Sequence, residues 1–263
     1  MNRFEFGKNW LDFLNNLSED RIKNSENSLL SMLEIRSLEE MSFLDIGSGS
    51  GLSSLVAKRA GAKVHSFDYD INSVECTKEL KKRYYNSNTD WKIEQGSILD
   101  EQYCKSLGQF DIVYSWGVLH HTGNMYGAMK NSDICLKKGG YLFIAIYNDQ
   151  RLQSRIWKRI KKTYVQVSIL RPFIILLGYI LLWMPFFVKD LFKLNPFKKW
   201  REYKKKRGMS PHHDVIDWVG GYPFEVAKPE EIIHYYLKRG YELKRLNTCG
   251  GRLGCNEFVF KKN

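Results

Sequence analysis

Paired cysteine is what this 263-residue chain lacks most plainly. Its five cysteines, Cys76, Cys104, Cys135, Cys249 and Cys255, are odd in number, scattered and never spaced as C-x-x-C. That excludes a disulfide framework and a structural zinc site, and it fits a reducing compartment, so a cytoplasmic location is expected. Histidines and acids also lack the paired spacing of zinc or iron sites, and no metal is expected. Met1-Asn2-Arg3-Phe4-Glu5 is followed by no apolar core, so no signal peptide is expected. Acids are scarce in one stretch. Between Arg151 and Arg207 sixteen Lys and Arg stand against Asp190 and Glu202, which outweighs the whole formal charge of +12. A basic block in an otherwise slightly acidic chain points to one face meeting an anionic partner.

What the chain does hold is organised around Ser42-Phe43-Leu44-Asp45-Ile46-Gly47-Ser48-Gly49-Ser50-Gly51. A short apolar run, a carboxylate, three glycines at alternate positions and an amphipathic segment read as buried strand, tight turn and helix N-terminus. Glycine at 47 and 49 lets the backbone bend sharply and bring bare N–H groups to a ligand, beside a helix end that favours negative charge. The dinucleotide fingerprint G-x-G-x-x-G fails, because Leu52 stands at its third glycine. A second strand, Val64-His65-Ser66-Phe67-Asp68, ends in an acid 21 residues after Gly47. An acid at that place accepts the hydroxyls of a ribose.

These two motifs resemble those of class I S-adenosylmethionine-dependent methyltransferases, and three later ones follow in order. Gly96-Ser97-Ile98 follows a third strand, where such enzymes hold the adenine ring. Phe110 to Ser115 reads as strand four, leading into Trp116-Gly117-Val118-Leu119-His120-His121, and Leu136-Lys137-Lys138-Gly139-Gly140 turns into strand five. Many members carry Asp where this chain has Ser97, a departure that touches the adenine contact. The resemblance covers residues 42 to 147. It implies S-adenosyl-L-methionine as cofactor, held by Asp45, Gly47, Gly49, Asp68, Tyr69, Gly96, Ser97, Ile98, Ser115 and Trp116.

The expected fold is α/β: a Rossmann-like seven-stranded sheet with helices on both faces and a helical insertion before the last helix and β-hairpin. Strand signals fall near 42–46, 62–67, 91–95, 110–115 and 140–147, with helices near 51–60, 72–83, 100–107 and 124–136. The chain divides into an N-terminal helical cap (1–41), the cofactor-binding core (42–148), a basic and apolar insertion (149–226) and a closing helix and hairpin (227–263). Within the cap, Phe4 to Trp10 is a candidate lid. In the insertion, residues 172–188 carry no charge, a length at the lower edge of a bilayer span. Crossing would put the closing hairpin on the far side from the strands it pairs with, so a span is not expected. Packed helices or an interfacial element on anionic lipid remain, and Pro172, Gly178 and Pro185 argue against one unbroken helix. Lys204-Lys205-Lys206-Arg207 is read as a solvated face, and a nucleic-acid partner is not expected.

Methyl transfer from a sulfonium requires alignment and, for a protonated acceptor, a base. Of the pair His120-His121, one is expected to face the acceptor, and His121 is preferred. His213 and Asp214, with Asp217 on one helical face before Gly220-Gly221-Tyr222-Pro223-Phe224-Glu225, form a second candidate pair or a polar cap tying the insertion to the sheet. The resemblance extends to bacterial small-molecule enzymes and implies methylation of oxygen or nitrogen on a small acceptor, anionic or sugar- or nucleotide-linked, as in surface-polysaccharide biosynthesis. Alternatives are a lipid or quinone-precursor acceptor at the inner membrane face, with peripheral contact through 151–207, a tRNA acceptor, and a non-catalytic binding protein on the same fold.

Overall fold

The computed structural model describes residues 14, 17–85, 90–207 and 211–263, excluding the side chains of 202, 204–207 and 213. The proposed lid, Phe4 to Trp10, lies outside them. Seven strands, β1 (Ser42–Ile46), β2 (Lys63–Asp68), β3 (Trp91–Gln95), β4 (Phe110–Trp116), β5 (Leu136–Tyr147), β6 (Tyr241–Asn247) and β7 (Cys255–Lys262), form one sheet in the order β3-β2-β1-β4-β5-β7-β6. The first five are parallel, and β7 lies antiparallel between β5 and β6. The strand order reverses between β1 and β4, and ligands bind beyond the carboxyl ends at such a point.

Helices cover both faces because the parallel strands are apolar on both. Phe43, Ile112, Tyr114 and Phe143 face α1 (Glu19–Leu33), α2 (Leu52–Arg59) and α3 (Ile71–Tyr84), where they meet Leu29, Leu33, Leu55, Val56 and Leu80. Leu44, Ile46, Val113, Leu142 and Ile144 point the other way, toward Cys104 of α4 (Glu101–Ser106), Met129 of α5 (Met125–Ile134) and Tyr236 of α10 (Pro229–Leu237). The period-2 alternation assigns each residue its face. Strand five differs from the sequence reading by starting at Leu136. That residue pairs with Phe110, and the expected turn appears as an irregularity before Ile112 meets Tyr141.

The insertion folds as four helices, α6 (Leu152–Gln166), α7 (Arg171–Phe192), α8 (Lys198–Arg207) and α9 (Pro211–Gly220). Trp157, Tyr164 and Val165 of α6, Ile174 of α7 and Val215 and Val219 of α9 bury a separate small core. The expectation of an interrupted α7 is not met: one helix of 22 residues runs through Pro185. Pro172 sits in its first turn, where no N–H partner is needed. Gly178 is the contact point, since a Cβ there would lie 2.8 Å from Val219 Cγ1 and 3.0 Å from Val215 Cγ1. Gly178→Leu should therefore prise α7 from α9 and lower the stability of the insertion by about 1–3 kcal/mol, read by urea unfolding. Wild-type unfolding would show that α7 contributes nothing to the fold.

Candidate active site

The glycine turn closes over the carboxyl ends of β1 and β2. Gly47 and Ser48 donate their N–H groups to Phe67 O at 2.8 and 3.1 Å, and Gly49 N donates to Asp68 Oδ2 at 2.9 Å. Gly47 has φ +77°, and a Cβ there would meet both Val118 methyls at 2.5 Å, so the turn and the segment after β4 touch only because that atom is missing. Asp68 Oδ1 accepts from Asp70 N at 2.9 Å, and Asp70 in turn caps α3 by accepting from Asn72 N. Backbone N–H groups of Gly49, Asp70 and Tyr69 thus hold the Asp68 carboxylate, which has about four acceptor sites in all and so has room for a ligand hydroxyl. Burial pushes this carboxyl up to about 6, opposed by the Gly49 and Asp70 amides.

Around that acid, Gly47, Gly49, Gly96 and Ser97 are half-buried, while the rings of Tyr69 and Trp116 are exposed. Three other proposed cofactor residues lie beneath the surface. Asp45, 2% exposed, accepts from Ser54 Oγ at 2.5 Å, in a buried chain that continues through Ser66 to Trp91 Nε1. Burial raises its carboxyl to about 7. Ser115 donates to Ile46 O, tying β4 to β1, and Ile98 packs in the core. The geometry makes Asp45 and Ser115 supports for β1 beside the turn, while the Ile98 carbonyl accepts from Asn131 Nδ2. Ser97 Oγ accepts from Leu99 N at 3.3 Å and so shapes the loop that offers Gly96.

At the carboxyl end of β4, Trp116 Nε1 donates to Glu257 Oε1 at 2.6 Å, and Asn247 Nδ2 donates to the other oxygen at 2.7 Å. A cavity of about 110 Å³ opens beside this pair, lined also by Ser25, Ser28, Ser53 and Tyr114. His120 is fully buried, its ring 4.0 Å from that of Tyr147, and burial holds its pKa well below the usual value. His121 is half-buried, and its Nδ1 lies 2.7 Å from Pro223 O. The Gly-Gly-Tyr-Pro-Phe-Glu bend docks here as well: Glu225 N donates to His120 O, and Glu225 Oε2 accepts from Met125 N. Asp214 instead accepts from the Tyr203 hydroxyl of α8 at 2.7 Å, within the insertion. The side chain of His213 lies outside the described residues. The structure therefore brings His121 to the sheet edge that carries Asp68 and gives Asp214 a partner elsewhere.

A family model described as a methyltransferase domain matches residues 3–193, well over half of the chain. The chain belongs to this methyltransferase family. With the seven-stranded order and the ribose-type acid, it is a class I S-adenosylmethionine-dependent enzyme. The chain is 27% identical over 201 residues to a ubiquinone biosynthesis O-methyltransferase of Pelagibacter ubique, covering 75% of each. It is 28% identical over 133 residues to the protein of that name from Parvibaculum lavamentivorans, covering 50% of each. Among solved structures, a methyltransferase of Anabaena variabilis aligns with a TM-score of 0.56 at 12% identity, covering 100% of this chain and 98% of that one. Magnesium protoporphyrin IX methyltransferase of Synechocystis, solved with S-adenosylhomocysteine, gives 0.55 at 11%, covering 94% and 89%.

Two residues packed around Trp218 and Phe224 escape motif reading. Tyr147 ends β5 and packs on His120, His121, Trp218 and Phe224. Its signal was positional, because the last residue of each parallel strand faces the ligand edge. Lys161 is fully buried, donates to Trp218 O and lies 4.4 and 4.9 Å from the centroids of the Trp218 and Phe224 rings. Burial lowers it to about 7, partly offset by Asp217. Its clue was a lysine on the apolar stripe of α6 with Trp157, Tyr164 and Val165. Among the described residues no cluster of His, Cys, Asp and Glu is arranged to hold a metal.

Proposed function

We propose that this methyltransferase moves a methyl group to a hydroxyl oxygen or an amine nitrogen of a small acceptor held between Trp116 and His121, with His121 as the base. The observation that carries the reading is the bond to Pro223. A carbonyl only accepts, so Nδ1 carries a proton, and in the neutral ring the lone pair then falls on Nε2. S-adenosylmethionine, when bound, supplies a sulfonium carbon open to in-line displacement. The acceptor's O–H or N–H proton passes to His121 Nε2 as the new bond to carbon forms and the carbon–sulfur bond breaks. Asp68 and the glycine turn hold the donor, and the insertion fixes the His121 ring.

A separate observation bears on the acceptor. Helix α7, which belongs to the insertion docked at this edge, presents its apolar side chains to solvent. That favours an acceptor carried on an apolar tail, such as a quinone precursor, and the names of the relatives from Pelagibacter and Parvibaculum agree with it. The basic stretch by itself supports a soluble anionic acceptor, sugar- or nucleotide-linked, as the competing class. Incubating the protein with methyl-labelled S-adenosylmethionine and either a detergent-dispersed polyprenyl catechol or a mixture of nucleotide sugars separates the two. Label entering the organic phase is the expected result. Label on nucleotide sugars alone would overturn the acceptor class, and no transfer to either by protein that binds the donor would overturn both.

A further inference from the structure

We infer that helix α7 is a membrane-docking element that lies in the plane of an anionic lipid surface, apolar side down, without crossing it. Within Ser168–Phe192 the most apolar 18-residue window has a mean hydropathy of 1.9, yet only 11% of that window is buried. Phe173, Leu176, Leu177, Ile180, Leu181 and Met184 recur at spacings of three and four and are between 39% and 67% exposed. They form one broad stripe. Ile174 and Gly178 mark the opposite stripe, against α9. A large contiguous apolar face is uncommon on a soluble monomer and marks an interaction surface.

Charge identifies the occupant. Exposed cations flank the stripe along the chain, Arg159 and Lys162 on α6 before it, Lys189 and Lys193 after it. The acid in the same stretch is turned inward, since Asp190 Oδ2 accepts from Lys199 N at 2.8 Å at the start of α8. Trp183 and Trp200 pack against each other at 4.7 Å between centroids, beside an apolar groove of about 370 Å³ that includes Leu176 and Ile180. Apolar side chains flanked by tryptophan and bordered by Lys and Arg match the layering of an anionic headgroup region. A second protein surface of ordinary composition would not call for flanking cations.

Topology decides between lying on the bilayer and crossing it. At 22 residues α7 is about 33 Å long, enough to span. But α9, with Asp214 and Asp217, packs along its middle at Val215 and Val219 and would have to enter the bilayer with it. The chain also returns to the same sheet edge, where Ala227 N donates to Tyr147 O and β7 pairs with β5 from Tyr141 to Tyr147. Both ends of the insertion are therefore on one side.

The test is co-sedimentation with vesicles and uses no turnover, so it stands apart from the choice of acceptor. Wild-type protein should pellet with vesicles of phosphatidylcholine containing phosphatidylglycerol, less with phosphatidylcholine alone, and less as salt rises. The Leu176→Asp/Ile180→Asp variant should lose binding at least tenfold while retaining its melting temperature and its affinity for S-adenosylmethionine. Lys189→Gln/Lys193→Gln should weaken binding to the anionic vesicles alone, by about fivefold per cation removed. Folded wild-type protein that stays in solution at low salt overturns the inference, as does equal pelleting of the aspartate variant. It is also overturned by a wild-type dimer that becomes monomeric in the aspartate variant without vesicle binding, or by an RNA oligomer bound where vesicles are not.

Discussion

Replacing Asp68 by alanine is expected to weaken S-adenosylmethionine binding about a hundredfold, read by isothermal titration. The carboxylate can accept from the ribose beyond the backbone bonds it takes from Gly49, Asp70 and Tyr69. Charge-assisted hydrogen bonds contribute about 1.5–3 kcal/mol each, and losing one to two of them gives that factor. Asp68→Asn keeps one acceptor oxygen and should lose about tenfold. The pH dependence has a definite sign. Burial raises the folded carboxyl to about 6, so its ionisation costs the ligand-free protein stability as pH rises from about 4 to about 6. The donor's hydroxyls prefer the ionised form. Its thermal shift should therefore be larger at about pH 7.5 than at about pH 5, and this difference should vanish in Asp68→Asn. An unchanged affinity in Asp68→Ala would remove Asp68 from the cofactor site.

His121 should give the largest loss of rate. A positioned base contributes about 10²- to 10⁴-fold, so His121→Gln and His121→Asn are both expected to lower kcat by that range with donor affinity unchanged. The pair separates chemistry from support. Asparagine places an amide N–H near the position of Nδ1, where it can still donate to Pro223 O, but it supplies no basic nitrogen. If His121 only anchors the insertion, the asparagine variant recovers turnover and the base assignment fails. If it is the base, both variants remain slow while the asparagine variant melts closer to wild type.

Much of the core was legible because the signals were local. Phe43 to Ile46 and Val64 to Asp68 are short, mostly apolar stretches that each carry an acid at or next to the strand end; the first strand keeps its expected bounds of 42–46, and the second shifts by one residue, from 62–67 to 63–68. The exception, Leu136 as the start of β5, turns on pairing with Phe110, which no local pattern carries. The cofactor residues were legible as positions along the chain and less so as exposures. Asp45 and Asp68 look alike in sequence, each an acid at or next to the end of a strand. One is sealed under the turn against Ser54, and the other stands half-buried beside Tyr69. Pleat direction and the helix laid above each strand decide that difference.

The sequence by itself determined the strand order's raw material, the glycine turn, the ribose-type acid and the charge imbalance of the insertion, because each depends on residue type and near spacing. Only the tertiary structure decided that Tyr147 and Lys161 join His120 and His121. It also decided that the Pro223 carbonyl meets Nδ1 of a histidine 102 positions earlier and that α7 runs unbroken with its apolar side outward. Those facts rest on contacts between distant segments, and a contact has no signature in either segment until the fold brings the two together.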